Sequence, residues 1–258
     1  MRPSSRKELH ALERRIRSCS ACRLSETRAN ALPGEGDPDA RVFLIALSPG
    51  RVEDREGRMF LGPSGAVLDR LLESAGVRRR QFYMTNLVKC ALPKNRRPKA
   101  REIEACASWL EREISMVGPK VLVPLGFYSS RYVLRTRTKD APHARPEYRA
   151  LYGRLILAGR TLIYPLPHPS ALLYRPSYEP ATATMYNRLQ VLLKPCRWYP
   201  ACPIRRYFEE ALIDSRWVDL YCLGDWSSCR RLHCQERGES HPDWMMPDGL
   251  LREDLKGR

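Results

Sequence analysis

Apolar residues recur along the first two thirds of the chain in two alternating rhythms. Residues 6–17 place Leu9, Leu12 and Ile16 at helical spacing. "RVFLIAL" (41–47) is a short uninterrupted apolar run, which predicts a strand buried on both faces. A helix is expected from Ser64, its N-cap, to Gly76. "QFYMTNLV" (81–88) predicts a second strand, and residues 100–117 an amphipathic helix. "KVLVPLG" (120–126) predicts a third strand, with a helix after it to about residue 135. "GRLILAGRTLIYPLP" (153–167) predicts a hairpin or two short strands turning at Ala158 and Gly159. Residues 136–150 suit a polar surface loop, and residues 179–193 a closing helix.

Strands alternating with helices predict α/β layers around a mainly parallel sheet. Such sheets bind ligands beyond the carboxyl ends of their strands. That rule singles out three loops, 48–63, 89–98 and 167–177. The first, "ALSPGRVEDREGRMFLGPSG" (46–65), joins a strand to a helix through glycines, prolines and charges. From Pro195 onward the composition shifts toward Cys, Trp and charge. This predicts a main domain over 1–194 and a small helical, cysteine-rich domain over 195–258.

Charge changes the picture next. The 258 residues carry 45 Lys plus Arg against 29 Asp plus Glu, a net charge of +16. Such an excess points to a polyanion, with nucleic acid first. The run "KNRRPKAR" (94–101) is the densest basic stretch, and Arg96 and Arg97 are its candidate phosphate contacts. No apolar run nears the roughly 20 residues of a membrane span, and "MRPSSRKELH" lacks a leader's apolar stretch. The expectation is a cytoplasmic, nucleoid-associated monomer with no membrane partner. Nine cysteines in a reducing compartment then favour metal or redox chemistry over disulfides. Cys19 and Cys22 form a C-x2-C pair, followed by Cys90 and Cys106. A C-x2-C pair alone would also suit zinc.

In "CSACRL", "LPGEG", "SPGRVEDREGRMFLGPSG", "YMTNLVKCALPKNRRP", "REIEAC", "PKVLVPLG" and "LPHPSALL" the chain resembles the iron–sulfur uracil-DNA glycosylases, families 4 and 5. The match spans about residues 15 to 175. It implies a three-layer α/β/α fold on a four-stranded parallel sheet. It also implies a [4Fe–4S] cluster on Cys19, Cys22, Cys90 and Cys106, and hydrolytic removal of uracil or another deaminated base from DNA. A base inside a duplex must be flipped into a pocket before it is cut. By resemblance Phe60 stacks on that base, Asn86 reads its edge and His168 stabilises the departing oxygen. Leu47, Ser48, Pro49 and Gly50 form the loop against base or phosphate. Ser170, Leu172, Leu173 and Arg175 face the DNA, the last three as a minor-groove wedge. Each also has an ordinary reading: Phe60 as core, Asn86 as a turn cap, His168 as a loop residue, and Leu172 and Leu173 as helix packing.

The chain departs from these families at one function. Leu47 stands where family 4 carries a water-activating glutamate, and Pro63 stands where family 5 carries an acidic residue. Glu53 and Asp54 lie nearby, and capping of the loop is their favoured role. A non-catalytic or weakly active iron–sulfur protein that binds nucleic acid therefore stands as the alternative. The tail resembles a small cysteine-bearing module of archaeal proteins, in "CRWYPACPIRRYFEE", "WVDLYCLGDWSSCRR" and "ERGESHPDWMMPDG". Its expected ligands are Cys196, Cys202, Cys222 and Cys229, holding a second [4Fe–4S] cluster or zinc. Cys234 is the spare on a helix after Asp225, and His233 and His241 are further candidates for zinc.

Overall fold

The computed structural model describes residues 3–258. In chain order, α1 (Pro3–Arg17) leads to the two-residue strand β1 (Glu35–Gly36), β2 (Val42–Ala46), α2 (Arg51–Glu56), α3 (Pro63–Ser74) and β3 (Phe82–Asn86). There follow α4 (Ala100–Val117), β4 (Val121–Pro124), α5 (Phe127–Arg137), α6 (Arg145–Ala150), β5 (Ile156–Ala158) and β6 (Thr161–Ile163). Three short helices, α7 (Ala171–Tyr174), α8 (Glu179–Asn187) and α9 (Leu189–Leu192), close this part. The tail adds α10 (Pro203–Glu209), a π-helical turn (Val218–Cys222) and α11 (Arg230–Arg237).

The sheet order is β1-β3-β2-β4-β6-β5. Its four inner strands are parallel, as the alternation of strands and helices predicts. The edge strands β1 and β5 are antiparallel, β5 through the expected hairpin turn. β1 carries two residues, too few for an apolar rhythm to register. Val42, Leu44, Phe82, Met84, Val121 and Val123 bury one face with Leu68 and Leu71 of α3, Tyr186 of α8 and Leu189 of α9. Phe43, Ile45, Tyr83 and Leu122 bury the other face with Leu12 of α1, Leu110 of α4 and Val133 of α5. Helices on both faces explain why the strands read as unbroken apolar runs.

Three expectations need correction. Gly62, not Ser64, occupies the N-cap of α3, and Pro63 takes the first helical position. Proline's fixed φ and missing N–H suit that place, so the helix starts two residues earlier. Residues 136–150 hold α6, whose Tyr148 is fully buried, its ring edge-on to Phe127 at 5.5 Å. One buried aromatic, Tyr148, anchors a segment with no other buried side chain. Residues 179–193 form two helices rather than one. Arg188 between them (φ −67°, ψ −16°) has near-3-10 dihedrals, which leave the apolar spacing intact.

A buried ion pair joins the sheet to α4. Lys89 Nζ lies 2.5 Å from Glu113 Oε2, with both side chains 1 % exposed. Lys89 also donates to Thr85 Oγ1 (2.7 Å) and the Asn86 carbonyl (2.8 Å), and Glu113 Oε1 accepts the Gly34 N–H (2.7 Å). Removing one member would leave a bare charge in the core. Glu113→Ala should therefore destabilise the protein by about 3–5 kcal/mol. Urea unfolding should show this as a lower midpoint at unchanged slope. The double variant Lys89→Met/Glu113→Leu should recover a large part of the loss.

Candidate active site and cysteine sites

Parallel strands end on one edge, and there the loops after β2, β3, β4 and β6 surround a cavity of about 500 Å³. Leu47, Ser48, Pro49 and Gly50 enter it after β2, Asn86 ends β3, and His168 and Ser170 follow β6. Phe60 reaches it from the turn before α3. The last loop is drawn in by pairing of Leu125 with Leu166 and by the Gly126 N–H donating to the Leu166 carbonyl (2.8 Å). Gly126 has φ +80°, and a Cβ there would stand 3.0 Å from the His168 Cβ. Only glycine accommodates both that dihedral and that approach.

His168 is fixed as one tautomer. The Ser170 N–H donates to its Nδ1 (3.1 Å), and the Ser170 hydroxyl lies 2.8 Å from the same atom. Nδ1 is thus an acceptor, and the ring proton sits on Nε2. Burial pushes the imidazole down to about 4, against a small opposing pull from the Glu53 carboxylate. His168 is therefore a neutral N–H donor at physiological pH.

Phe60 is held in a strained backbone conformation, φ +52°. Arg79 Nη2 donates to the Phe60 carbonyl (2.8 Å) and the Gly65 carbonyl (3.0 Å), while the same guanidinium pairs with Asp69 (2.9 Å). A Cβ on Gly65 would fall 1.9 Å from the Phe60 oxygen, so a bare glycine is required beneath it. These contacts over-determine the strain. The ring is 6 % exposed and belongs both to the core and to the cavity wall, so its two readings coincide. Asn86 is buried and its Nδ2 donates to Met59 Sδ (3.0 Å), a weak acceptor that a better one could displace.

The two acidic residues of the first loop have separate tasks. Asp54 caps a turn, accepting the N–H groups of Ala29 (3.0 Å) and Asn30 (3.0 Å). Glu53 is buried in the cavity wall; its Oε1 accepts the Gly62 N–H (2.8 Å) and its Oε2 lies under Gly50. Glu53 thus caps the loop and also presents a carboxylate to the cavity beside His168.

Around the rim, Leu173 is 44 % and Tyr174 85 % exposed, and both line the cavity mouth. Leu172 faces inward, 4 % exposed within the core, so it is no part of a wedge. A four-residue helix must turn one side chain toward the sheet, and Leu172 is that residue. Tyr174, passed over in the sequence, takes the exposed place; its neighbour Leu173 was the available signal. Arg175 is exposed, with its guanidinium over the Tyr178 ring at 5.7 Å. Arg96 lines the cavity in a two-bonded pair with Glu102 (2.5 and 2.9 Å), whereas Arg97 is exposed outside it. Arg145, over the Phe127 ring at 5.0 Å, joins the lining from α6.

Cys19, Cys22, Cys90 and Cys106 meet behind the 89–98 loop. Arg28 Nη1 donates to the Cys90 sulfur (3.1 Å), Trp109 Nε1 to the Cys19 sulfur (3.2 Å) and the Lys89 N–H to the Cys106 sulfur (3.3 Å). Burial pushes the Cys106 thiol up to about 11 and raises that of Cys90, and the neighbouring sulfurs add to both shifts. Among the described residues no three Cys, His, Asp or Glu side chains gather closely enough to hold a single metal ion. Three of the four sulfurs each have an N–H aimed at them.

The family model described as "Uracil DNA glycosylase superfamily" matches residues 33–190. The chain belongs to that superfamily. It is 33% identical to the type-4 uracil-DNA glycosylase of Sulfurisphaera tokodaii over 71% of this chain and 84% of the relative. It is 37% identical to the type-4 enzyme of Saccharolobus solfataricus over 62% of this chain and 75% of that protein. A type-5 uracil-DNA glycosylase of Pyrobaculum aerophilum is 34% identical over 55% of this chain and 66% of its own length. The matched segment of the superfamily contains the cavity residues from Leu47 to Ser170, and the tail beyond residue 194 lies outside it.

The buried imidazole of this glycosylase-superfamily chain carries a pH signature. Its pKa is about 4 when folded against an ordinary 6.5, so the unfolded chain binds the extra proton first as pH falls. Stability from this group is complete above about 6.5 and is lost as pH falls toward 4. Ring-nitrogen NMR should show His168 as the Nε2–H tautomer, unprotonated down to about pH 5. A midpoint near 6.5 would contradict the assignment.

Proposed function

We propose that the protein hydrolyses the N-glycosidic bond of uracil in DNA after flipping the nucleotide into the cavity. The supporting observation is the meeting of Phe60, Asn86 and a neutral His168 in one pocket at the carboxyl edge of the sheet. Phe60 supplies a face for the base to stack on. The Asn86 amide offers both a donor and an acceptor, which matches the alternating edge of a pyrimidine. As the glycosidic bond lengthens, negative charge gathers on the uracil oxygen beside His168. The Nε2–H donor meets that charge without a proton transfer, and its low dielectric setting strengthens the interaction.

Glu53 is proposed as the acid that Leu47 lacks. Its buried carboxylate would offset positive charge building on the sugar and orient the attacking water from one oxygen, while the other stays on Gly62. The sequence favours capping for Glu53; its burial beside His168 supports both roles at once. Leu173 and Tyr174 are the exposed apolar pair suited to fill the gap left by the flipped base, with Arg96 and Arg175 near the phosphates. Cys19, Cys22, Cys90 and Cys106 would hold a [4Fe–4S] cluster, since their buried sulfurs with N–H donors suit thiolates bound to iron. Its contribution is a crosslink: it would tie the segment after α1 and helix α4 to the chain four residues beyond Asn86.

The expected results are direct. On a duplex with a single uracil, His168→Ala should lower the excision rate about a hundred-fold or more. Glu53→Gln should lower it by a similar factor, on the order of 10², with uracil-duplex affinity little changed. No excision by the unaltered protein, with uracil duplex still bound, would leave the non-catalytic reading in its place.

Binding itself should be salt-dependent, because each neutralised phosphate releases counterions. Fluorescence anisotropy from low to physiological salt should show affinity falling steeply, and Arg96→Ala should reduce the slope by roughly one phosphate contact. A flat response would remove DNA as the partner.

A further inference from the structure

The superfamily match ends at residue 190, and the glycosylase site uses nothing in the tail. Yet the tail contains a second cavity, of about 270 Å³, with Cys196, Cys202, Cys222 and Cys229 in its wall. We propose that these four cysteines hold an iron–sulfur cluster of the four-iron type, separate from the one near Asn86.

The four residues are far apart in sequence and are brought together by backbone pairing. The Cys196 N–H donates to the Cys222 carbonyl (2.8 Å). Cys202 immediately precedes α10, Cys222 ends the π-helical turn and Cys229 immediately precedes α11. All four are free thiols and line the same cavity. The N–H groups of Trp198 and Tyr199 point at the Cys196 sulfur, and those of Arg231 and Leu232 at the Cys229 sulfur. N–H groups aimed at sulfur match a thiolate better than a thiol, whose sulfur is a weak acceptor. The same pattern surrounds Cys19, Cys90 and Cys106.

Arg231 is an independent sign. It is 5 % exposed and lines the cavity. Its Nη1 donates to the carbonyls of Pro242 (3.1 Å), Asp243 (2.8 Å) and Met245 (2.7 Å). Its Nε is buried with no hydrogen-bond partner. A buried cation among carbonyl oxygens needs a counter-charge. Four thiolates around a four-iron cluster carry net negative charge and supply it.

The nature of the metal follows from the space. Zinc would draw its ligands to about 2.3 Å from one point. Here the sulfurs line a cavity of about 270 Å³, and no three candidate ligands converge on a point among the described residues. Two of the three spare residues have other partners: His233 Nε2 lies 2.8 Å from the Ser227 carbonyl, and Cys234 interacts with Arg237 and Glu239, while His241 lines the cavity. The physical need is structural. The tail buries a small apolar cluster around Ile204, Tyr207, Val218 and Met246, thin for a fold of its size without a staple.

Anaerobically purified full-length protein should contain about eight irons and eight sulfides, two four-iron clusters. Cys202→Ser/Cys229→Ser should leave about four irons, and so should Cys19→Ser/Cys22→Ser, the remaining four then lying in the tail. Cys234→Ser should keep the full content. After reduction, electron paramagnetic resonance should give two four-iron signals, one lost in each double variant. About four irons in the unaltered protein would overturn the proposal, whatever the variants do. So would one zinc lost with Cys202→Ser/Cys229→Ser, or a Cys19→Ser/Cys22→Ser protein with no iron. Excision of uracil by the unaltered protein is read separately, so failure of the glycosylase reading is distinguishable from failure of this one.

Discussion

The buried pair of Lys89 and Glu113 is the contact on which the active edge depends. Lys89 sits three residues after Asn86 and next to Cys90. Its ammonium holds the Asn86 carbonyl, its own N–H reaches the Cys106 sulfur and its carbonyl accepts the Leu32 N–H. Glu113 reaches back from α4 to Gly34 and Thr85. One ion pair thus fixes the end of β3, the entry to β1, helix α4 and Cys106 relative to each other. Desolvating two charges is expensive, so the pair adds little net stability over an apolar pair. What it adds is position: Lys89 Nζ bonds Glu113, Thr85 and the Asn86 carbonyl together, which holds the end of β3 in one place.

The same economy of position governs the pocket. A neutral histidine is useful only if its proton is on the outward nitrogen. Ser170 ensures that from one side, and Gly126 allows the ring close enough from the other. Phe60 is held in a left-handed turn by Arg79 and the bare Gly65. Glu53 draws on the same turn through Gly62. Phe60 and Glu53 are consequently coupled through one short stretch of chain, residues 50–65, rather than placed independently.

The tail is fastened to this framework by bonds to main-chain oxygens, by the Arg188–Asp225 ion pair and by Leu220, which packs against the main core. Arg41, at the start of β2, donates to the Leu192 carbonyl (3.0 Å) and to the Leu223 carbonyl. Arg188 pairs with Asp225, and Trp226 Nε1 donates to the Lys194 carbonyl (2.9 Å). Among the described residues, none of the tail lines the cavity.

Much of this was legible in the sequence, because it follows from local rhythm and short motifs. Apolar runs gave the four parallel strands, and period-3.6 spacing gave α1 and α4. Ordered motifs gave Phe60, Asn86, His168 and both cysteine sets as candidates. Local pattern could not separate Leu172 from Tyr174, since which face of a four-residue helix meets the core depends on the sheet beneath it. It could not see α6, whose one buried side chain, Tyr148, is set against Phe127 from another element. Nor could it assign Glu53 to the cavity or Lys89 to Glu113. Charge burial and proton placement depend on groups tens of residues away in the chain, and only the packed structure brings those groups within a few ångströms.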